Sequence, residues 1–463
     1  MTFADRFDDA RRQAHAAVVA EIAGRELHSL RLSFADQHGL LRGKVIHAAR
    51  APQAFDGGIA ITGSLLTKDT GQKYAFDLWR GTGGPTLAAM AGARDMVMLP
   101  DPATFRVLPW ADGTGWMQCD LYDLDGEPIE ISTRRVCQLA HQRMLDEGLD
   151  FQAGLEIEFH LYPSDGTGAS MGTIHPGWDL LADQHSDLIE PLLDPIRRGL
   201  TALGVAPRSI EAELGPSQVE LTFAPASAVE VADQAVLIRS AIKQIARRHG
   251  LHATFMSRPA LPDSFPSGWH LHQSLTTTDG DTNLFAAEEA GVLAPTGRHY
   301  LAGLLAHAAE SCLLTTPTIT GYKRYRPKSV APDRIAWSRQ HRGAMFRVID
   351  RPGGPATRIE NRAGDPAANP YLYVTSQLLS GLDGLEVADE PPPPTESPYE
   401  PAAGALLPRT LGEAIDVFET SAFYRRSLGD EFVDYLVGLK RSEWNRFLGA
   451  VTDWEQAEYF ELF

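Results

Sequence analysis

Apolar residues in the front part of the chain alternate in short runs, and those further along mix this alternation with helical spacing. The charged opening MTFADRFDDARRQAHAAVVAEIAGREL has the spacing of a helix. Residues 27–48 then alternate as two strands around an Asp-Gln-His-Gly turn, and strand-like pieces recur at 96–99, 105–110 and 117–122. This pattern predicts a small α+β unit. Asp123-Leu-Asp-Gly-Glu-Pro128 is a turn cluster, and Ser132 opens a helical pattern running to Glu147. A domain boundary is therefore expected at 128/129, with residues 1–128 in one unit and 129–463 in the other. From Phe151 the strand patterns FQAGLEIEFHLYP, QVELTFAP and ATRIENR alternate with helical patterns over 187–203 and 228–249. That mixture predicts an α+β sheet domain with helices on one side. Glu390-Pro-Pro-Pro-Pro-Thr-Glu-Ser-Pro398 cannot be helix or central strand and reads as an exposed extended loop. No internal repeat is present.

Composition narrows the class of partner. With 463 residues and 43% apolar content, the chain can build a substantial core in one large domain or two to three smaller ones. A net charge of −18 argues against nucleic acid or an anionic membrane as the main partner. Cys119, Cys137 and Cys312 lie far apart, outside any C-x-x-C or Cys/His cluster, which fits a reducing cytoplasm. The first residues carry no apolar leader and no later apolar run is long enough to cross a bilayer, so a soluble, unprocessed, cytoplasmic protein is expected.

Four segments carry candidate chemistry. In Gly154-Leu-Glu-Ile-Glu-Phe-His160, strand alternation puts Glu156 and Glu158 on one face, about 7 Å apart, with Leu155, Ile157 and Phe159 on the other. Such a pair is commonly the solvated face of an amphipathic strand, and a buried pair would need positive charge against it. In Glu211-Ala-Glu-Leu-Gly-Pro-Ser-Gln-Val-Glu220 the Gly-Pro turn lets Glu213 and Glu220 point into one space, although acids flanking turns are usually solvated. Ser267-Gly-Trp-His-Leu-His-Gln-Ser274 puts His270 and His272 on one strand face, where they could equally be core histidines. Arg358-Ile-Glu-Asn-Arg362 aligns Arg358, Glu360 and Arg362, a pattern shared with surface salt-bridge ladders. Arg339, Arg342 and Arg347 lie just upstream, a dense cationic set in an acidic chain. Arginines beside many carboxylates and one imidazole suit a nucleotide held with hard divalent ions, Mg²⁺ or Mn²⁺, rather than zinc. There is no G-x-x-x-x-G-K-[ST] or G-x-G-x-x-G, so metal ions and arginines would have to hold the phosphates.

Taken together, the motifs resemble the glutamine synthetase family and its gamma-glutamyl amide ligases over nearly the whole chain. FADQHGLLRGK, GLEIEF, EAELGPSQVE, HATFMSRP, SGWHLHQSL, GYKRYRPKSVAP, RIENRAGDPAANPYL and EWNRFLGAVTDWEQAEYF occur in the family's order. The resemblance implies an α+β fold: a small N-terminal β-grasp domain and a larger C-terminal catalytic domain of the glutamine-synthetase/guanido-kinase type. It further implies a homo-oligomeric ring, a double-ring dodecamer, with active sites between neighbouring subunits. It assigns Glu158, Glu213 and Glu220 to one metal and Glu156, His270 and Glu360 to another. Ser274, Arg347 and Arg358 match ATP-binding positions, Arg324 and Arg362 glutamate-binding positions, and Arg342 the arginine that steadies the transferred phosphoryl group. Asp36 matches the family's candidate for attracting the amine and helping to remove its proton across the subunit interface.

Two departures bear on the substrate. The ammonia-using enzymes carry a flap glutamate just before Ala-Pro, whereas this chain has Val330 in Lys328-Ser-Val-Ala-Pro332. Phe265-Pro266 stands where the family usually shows Asn-Gly near the glutamate amino group. Trp178 falls near the family's ammonium-pocket tyrosine, so Val330 and Trp178 would make that pocket more apolar and poorer in charge. The expected function is ATP-dependent ligation of an organic primary amine to the gamma-carboxyl of glutamate through a gamma-glutamyl phosphate. The alternatives are an ammonia-using glutamine synthetase and a catalytically silent ring scaffold, the latter expecting broken metal ligands where none is broken. Tyr399 lies in a loop comparable to the family's adenylylated loop, but its Pro-rich surroundings do not support that assignment.

Overall fold

Asp8 accepts the Arg11 amide at 2.7 Å and starts the first helix, α1 (Asp9–Gly24), which turns Val18 and Ile22 inward. In the computed structural model, residue 3 and residues 7–164, 172–261, 263–280, 282–289, 292–350 and 354–463 are described. Strands β1 (Ser29–Ala35) and β2 (Leu41–His47) form the expected hairpin. Gly39 sits at its turn with φ +70°, and an added Cβ would come within 2.8 Å of the Arg239 guanidinium. Helix α2 (Ala51–Gly57), strand β3 (Ile59–Thr62), helix α3 (Pro85–Ala89) and strands β4 (Asp95–Pro100), β5 (Arg106–Val107) and β6 (Thr114–Tyr122) complete this part. The sheet runs β2-β1-β6-β4-β3, with β5 on β6 and β1 parallel to β6. This mixed sheet agrees with the expected grasp domain. The strand expected at 105–110 shrinks to Arg106–Val107 because Pro109 has no N–H for a ladder and the Ala111 amide turns back to Leu108 O.

The larger part begins with α4 (Thr133–Asp146) and the 15-residue strand β7 (Leu149–Pro163). Then come α5 (Asp183–Ala202), β8 (Ser209–Ala212), β9 (Gln218–Thr222), β10 (Ala226–Ser227), α6 (Ala228–Arg248), β11 (Leu251–Thr254) and β12 (Trp269–Thr277). After α7 (Pro295–Ala306) and α8 (Ala308–Thr315) follow β13 (Trp337–Arg339), β14 (Phe346–Ile349), β15 (Arg358–Asn361) and α9 (Pro370–Val387). The sheet order is β13-β14-β15-β12-β7-β9-β8, with β10 and β11 also pairing with β7. Leu155, Ile157 and Phe159 are buried on β7, against which α4 and α6 pack, which leaves the other face of the strand to Glu156 and Glu158. Helix α9 is buried along most of its length and packs against α4, α6, α7 and α8. It crosses α7 so closely that a Cβ on Gly303 would lie 2.1 Å from Ser380 O. This central helix has no amphipathic stripe to announce it in the sequence.

Arg134 of α4 joins the two parts. It reaches Asp101 after β4 at 2.8 Å, Asp120 of β6 at 2.6 Å and Asp233 of α6 at 2.8 Å. Residues 388–396 contain neither helix nor strand, in line with their prolines. The three cysteines are buried and free. No helix among the described residues is long and apolar enough to cross a membrane.

Candidate active site

Strand register alone brings the acids of separate motifs into rows. Glu158 of β7 stands opposite Glu220 of β9, which stands opposite Glu211 of β8. One step along, Glu156 lies opposite His270 of β12. A third row runs from His272 of β12 to Glu360 of β15 and Arg347 of β14. Glu213 comes from the β8–β9 turn, where its amide donates to Gln218 O at 2.9 Å.

Like charges directly opposite one another repel, so the Glu158-Glu220-Glu211 row needs positive charge over it. Glu158 and Glu220 are buried and neither forms an ion pair among the described residues. Burial, then Glu213, pushes the Glu158 carboxyl up to about 8. Burial, then Glu156, Glu158 and the other acids, pushes Glu220 up to about 11. The Glu213 carboxyl is also raised, first by burial. Donor atoms of Glu211, Glu213 and Glu220 lie within 4.8 Å of one another, as do those of Glu156, Glu220 and His270, and of Glu156, His272 and Glu360. Oxygen-rich groups under uncompensated negative charge fit hard divalent cations. Glu158 stands beside these groups and outside all three.

The second set of acids is already balanced. Glu156 meets His270 Nδ1 at 2.5 Å and His272 Nε2 at 2.9 Å. Burial works to raise its carboxyl, but the two imidazoles hold it well below the usual carboxylate range. Glu360, fully buried, pairs with Arg347 at 3.0 Å and with Arg362. Burial there is outweighed by Arg362 and the histidines, so its carboxyl is lowered. Burial, then Arg362, lowers His270, leaving a neutral imidazole suited to a metal.

Glu156, Glu158, Glu211, Glu213, Glu220 and His270 line a cleft of about 540 Å³ together with Arg324, Arg342, Arg347 and Arg362, and His272 and Glu360 stand outside its lining. Arg324 is buried and anchored on Ala363 O at 3.1 Å and Gly364 O at 2.7 Å. Arg362 donates to Arg342 O at 2.8 Å. Arg358 stands outside the cleft wall, donating to His272 Nδ1 at 3.0 Å, and Ser274 lies on the same strand face as His272, opposite Gln152. Val330 lines the cleft. Trp178 does not, and reaches it edge-on through Phe265, 6.1 Å between ring centres, while its neighbours Leu180 and Leu181 form the wall. Asp36 lies outside the cleft of its own chain. Its carboxylate accepts from the His38 and Leu40 amides at 2.9 and 3.0 Å and from Arg42 at 2.8 Å. Tyr399 lies behind the flap, its hydroxyl donating to Ala331 O at 3.3 Å.

Reasoning from the sequence passed over His272, Glu211, Leu180, Leu181 and Gln218 as members of the site. His272 is two residues from His270 and shares its strand face, which was a usable signal, whereas Glu211 sits on β8 with Glu213 in the turn beyond it and enters only through its pairing with Glu220. Gln218 donates to Glu158 at 2.7 Å and to Ser267 Oγ at 3.1 Å. That contact joins residues 60 positions apart, and no local pattern marks it.

Residues 130–459 match the model of the glutamine synthetase catalytic domain. The chain is 43% identical to the gamma-glutamylanilide synthase of Acinetobacter sp, across 98% of this chain and 97% of that one. It is 32% identical to the gamma-glutamylethanolamide synthetase GlnA4 of Streptomyces coelicolor, across 96% and 94%. Among solved structures, a GmaS/ADP complex superposes with a TM-score of 0.83 at 25% identity, covering 96% of this chain and 99% of the other.

Proposed function

Because the chain belongs to the glutamine synthetase family, we propose that it is an ATP-dependent ligase joining the gamma-carboxyl of glutamate to an organic primary amine. The observation that carries the reading is one cleft whose floor combines the acids and His270 with four arginines while Val330 occupies the flap. The names of the two relatives support an organic amine over ammonia.

The family depends on a divalent metal. We assign Mg²⁺ or Mn²⁺ here, held by Glu158, Glu213 and Glu220 in one position and by Glu156, His270 and Glu360 in the other. Such ions neutralise phosphate charge during transfer. The chain's own groups do the rest. Arg347 and Arg358, with Ser274, orient ATP, and Arg342 steadies the terminal phosphoryl group as a glutamate carboxylate oxygen bonds to it and the P–O bond to ADP breaks, ADP leaving with the electron pair. Arg324 and Arg362 hold the glutamate. The resulting acyl phosphate has a good leaving group. The amine lone pair then forms the C–N bond, the C–O bond to phosphate breaks, and inorganic phosphate departs with the electron pair. Asp36 is the residue we assign to the amine's proton, supplied from a neighbouring subunit, since within one chain its carboxylate stands apart from the cleft.

We also propose a double-ring dodecamer, a cytoplasmic location consistent with three free buried cysteines, and a domain boundary at 128/129. The boundary falls between the end of β6 and the start of α4. The function is tested by ADP release with glutamate plus a panel of amines or ammonium. Activity with C3 or larger amines above that with ammonium is expected. Preference for ammonium would make this a glutamine synthetase with an unusual flap.

A further inference from the structure

We propose that the amine is a weakly basic aromatic one, uncharged near neutral pH, selected by an apolar rim of Val330, Leu181, Leu180 and Phe265 above the acidic floor. The inference rests on the ligase reading above and narrows its substrate class. Its starting point is backbone strain. Eleven non-glycine residues among those described have positive φ, and only three carry large apolar side chains: Trp178 at 63°, Leu181 at 58° and Val330 at 63°. All three border this cleft. Leu181 and Val330 line it, and Trp178 packs on Phe265, which lines it too. A left-handed backbone is unfavourable for bulky side chains and worst for a β-branched one. Burial in the core does not offset it, since Trp178, Leu181 and Val330 are 58%, 57% and 45% exposed. Strain of this kind persists where a ligand is clamped.

The rim also determines which charge state can pass. A protonated alkylamine would have to shed its water against leucine, phenylalanine and valine, and then lose a proton before its lone pair could attack. Val330 offers no acceptor. An aromatic amine arrives neutral, with its lone pair free and a flat apolar ring for the rim to hold. The proton it releases on forming the C–N bond passes to Asp36 of the neighbouring subunit, the residue assigned to it above.

The test compares aniline with cyclohexylamine, equal in carbon count and ring size, the first neutral and the second cationic at pH 7. Product formation is followed at saturating glutamate and ATP, with hydroxylamine as a small neutral nucleophile that reports the acyl phosphate. We expect kcat/KM for aniline to exceed that for cyclohexylamine at least tenfold at pH 7, with the gap closing as pH rises. V330E should narrow the gap while still forming hydroxamate. Equal use of the two amines would overturn the inference and leave the ligase reading standing. Ammonium outranking both would end both readings. If V330E or L181A changes the assembly state without changing the ranking of amines, the rim is a subunit contact and the inference fails.

Discussion

At the scale of single residues, Gln218 and Glu158 show how a buried acid is aimed. One Glu158 oxygen accepts from Gln218 at 2.7 Å and from the Gly268 amide at 3.0 Å. Gln218 in turn accepts the Gly215 amide at 2.9 Å, so a single side chain ties the β8–β9 turn to β7 and β12. Gln218→Leu should leave buried partners unpaired, destabilising the fold by about 1–3 kcal/mol. It should also raise the Mg²⁺ or Mn²⁺ concentration needed for half-maximal ADP release. An unchanged metal dependence would show that Gln218 serves stability alone. A second prediction concerns protons. Burial, then Glu213, pushes the folded Glu158 carboxyl from an ordinary 4.5 up to about 8, so the metal-free fold keeps a proton that the unfolded chain releases. Stability should therefore fall as pH rises from about 4.5 towards 8, with Glu220 extending the loss upward. Melting in a chelator across this range should show a shallower slope for Glu158→Gln than for the wild type. Parallel slopes would mean that Glu158 is ionised in the metal-free protein.

The flap is the clearest case at the scale of an element. Lys328 and Val330 both have positive φ, and Ser329 Oγ donates to Arg326 O at 2.6 Å between them. Val330→Gly removes a side chain that is 45% exposed and relieves a conformation costing a valine about 1–2 kcal/mol, partly offset by about 0.4–1 kcal/mol from the freer unfolded chain. The melting temperature should stay level or rise slightly, while discrimination between amines falls. A marked drop in melting temperature would place Val330 among the structural residues. Strand β7 presents the opposite case, since its alternation was readable at once. Period-two spacing placed Glu156 and Glu158 on one face without any knowledge of partners.

For the whole molecule, Arg134 is the junction that the sequence did not reveal. It is 5% exposed and pairs with aspartates from both sheet-bearing parts, two of them in the N-terminal unit. Arg134→Met would leave three partly buried carboxylates facing one another. The expected loss is about 3–5 kcal/mol, read from denaturant unfolding, because removing one partner strands the others' charge. Restoring the balance with Asp233→Asn in the same chain should recover part of that loss. If the single variant unfolds like the wild type, solvent already screens the acids and Arg134 does not join the two parts energetically.

The sequence by itself determined the opening helix, the first hairpin, the helix after Ser132 and strand β7, the shared face of Glu156 and Glu158, and the supply of carboxylates, imidazoles and arginines. These follow from local period and residue type. It also showed Val330 in the flap, because that position is fixed by neighbours in the chain. Only the tertiary structure decided which residues meet. Pairing β7 with β9 and β12 set Glu158 against Glu220 and Glu156 against His270, a matter of register between distant strands. The same pairing brought in Glu211 and His272, and the left-handed turns at Trp178 and Leu181 placed Leu180 and Leu181 in the wall. The strand lost after Val107 and the largely buried α9 have the same physical cause. Hydrogen bonding and burial are settled by partners far along the chain, and local spacing carries no record of them.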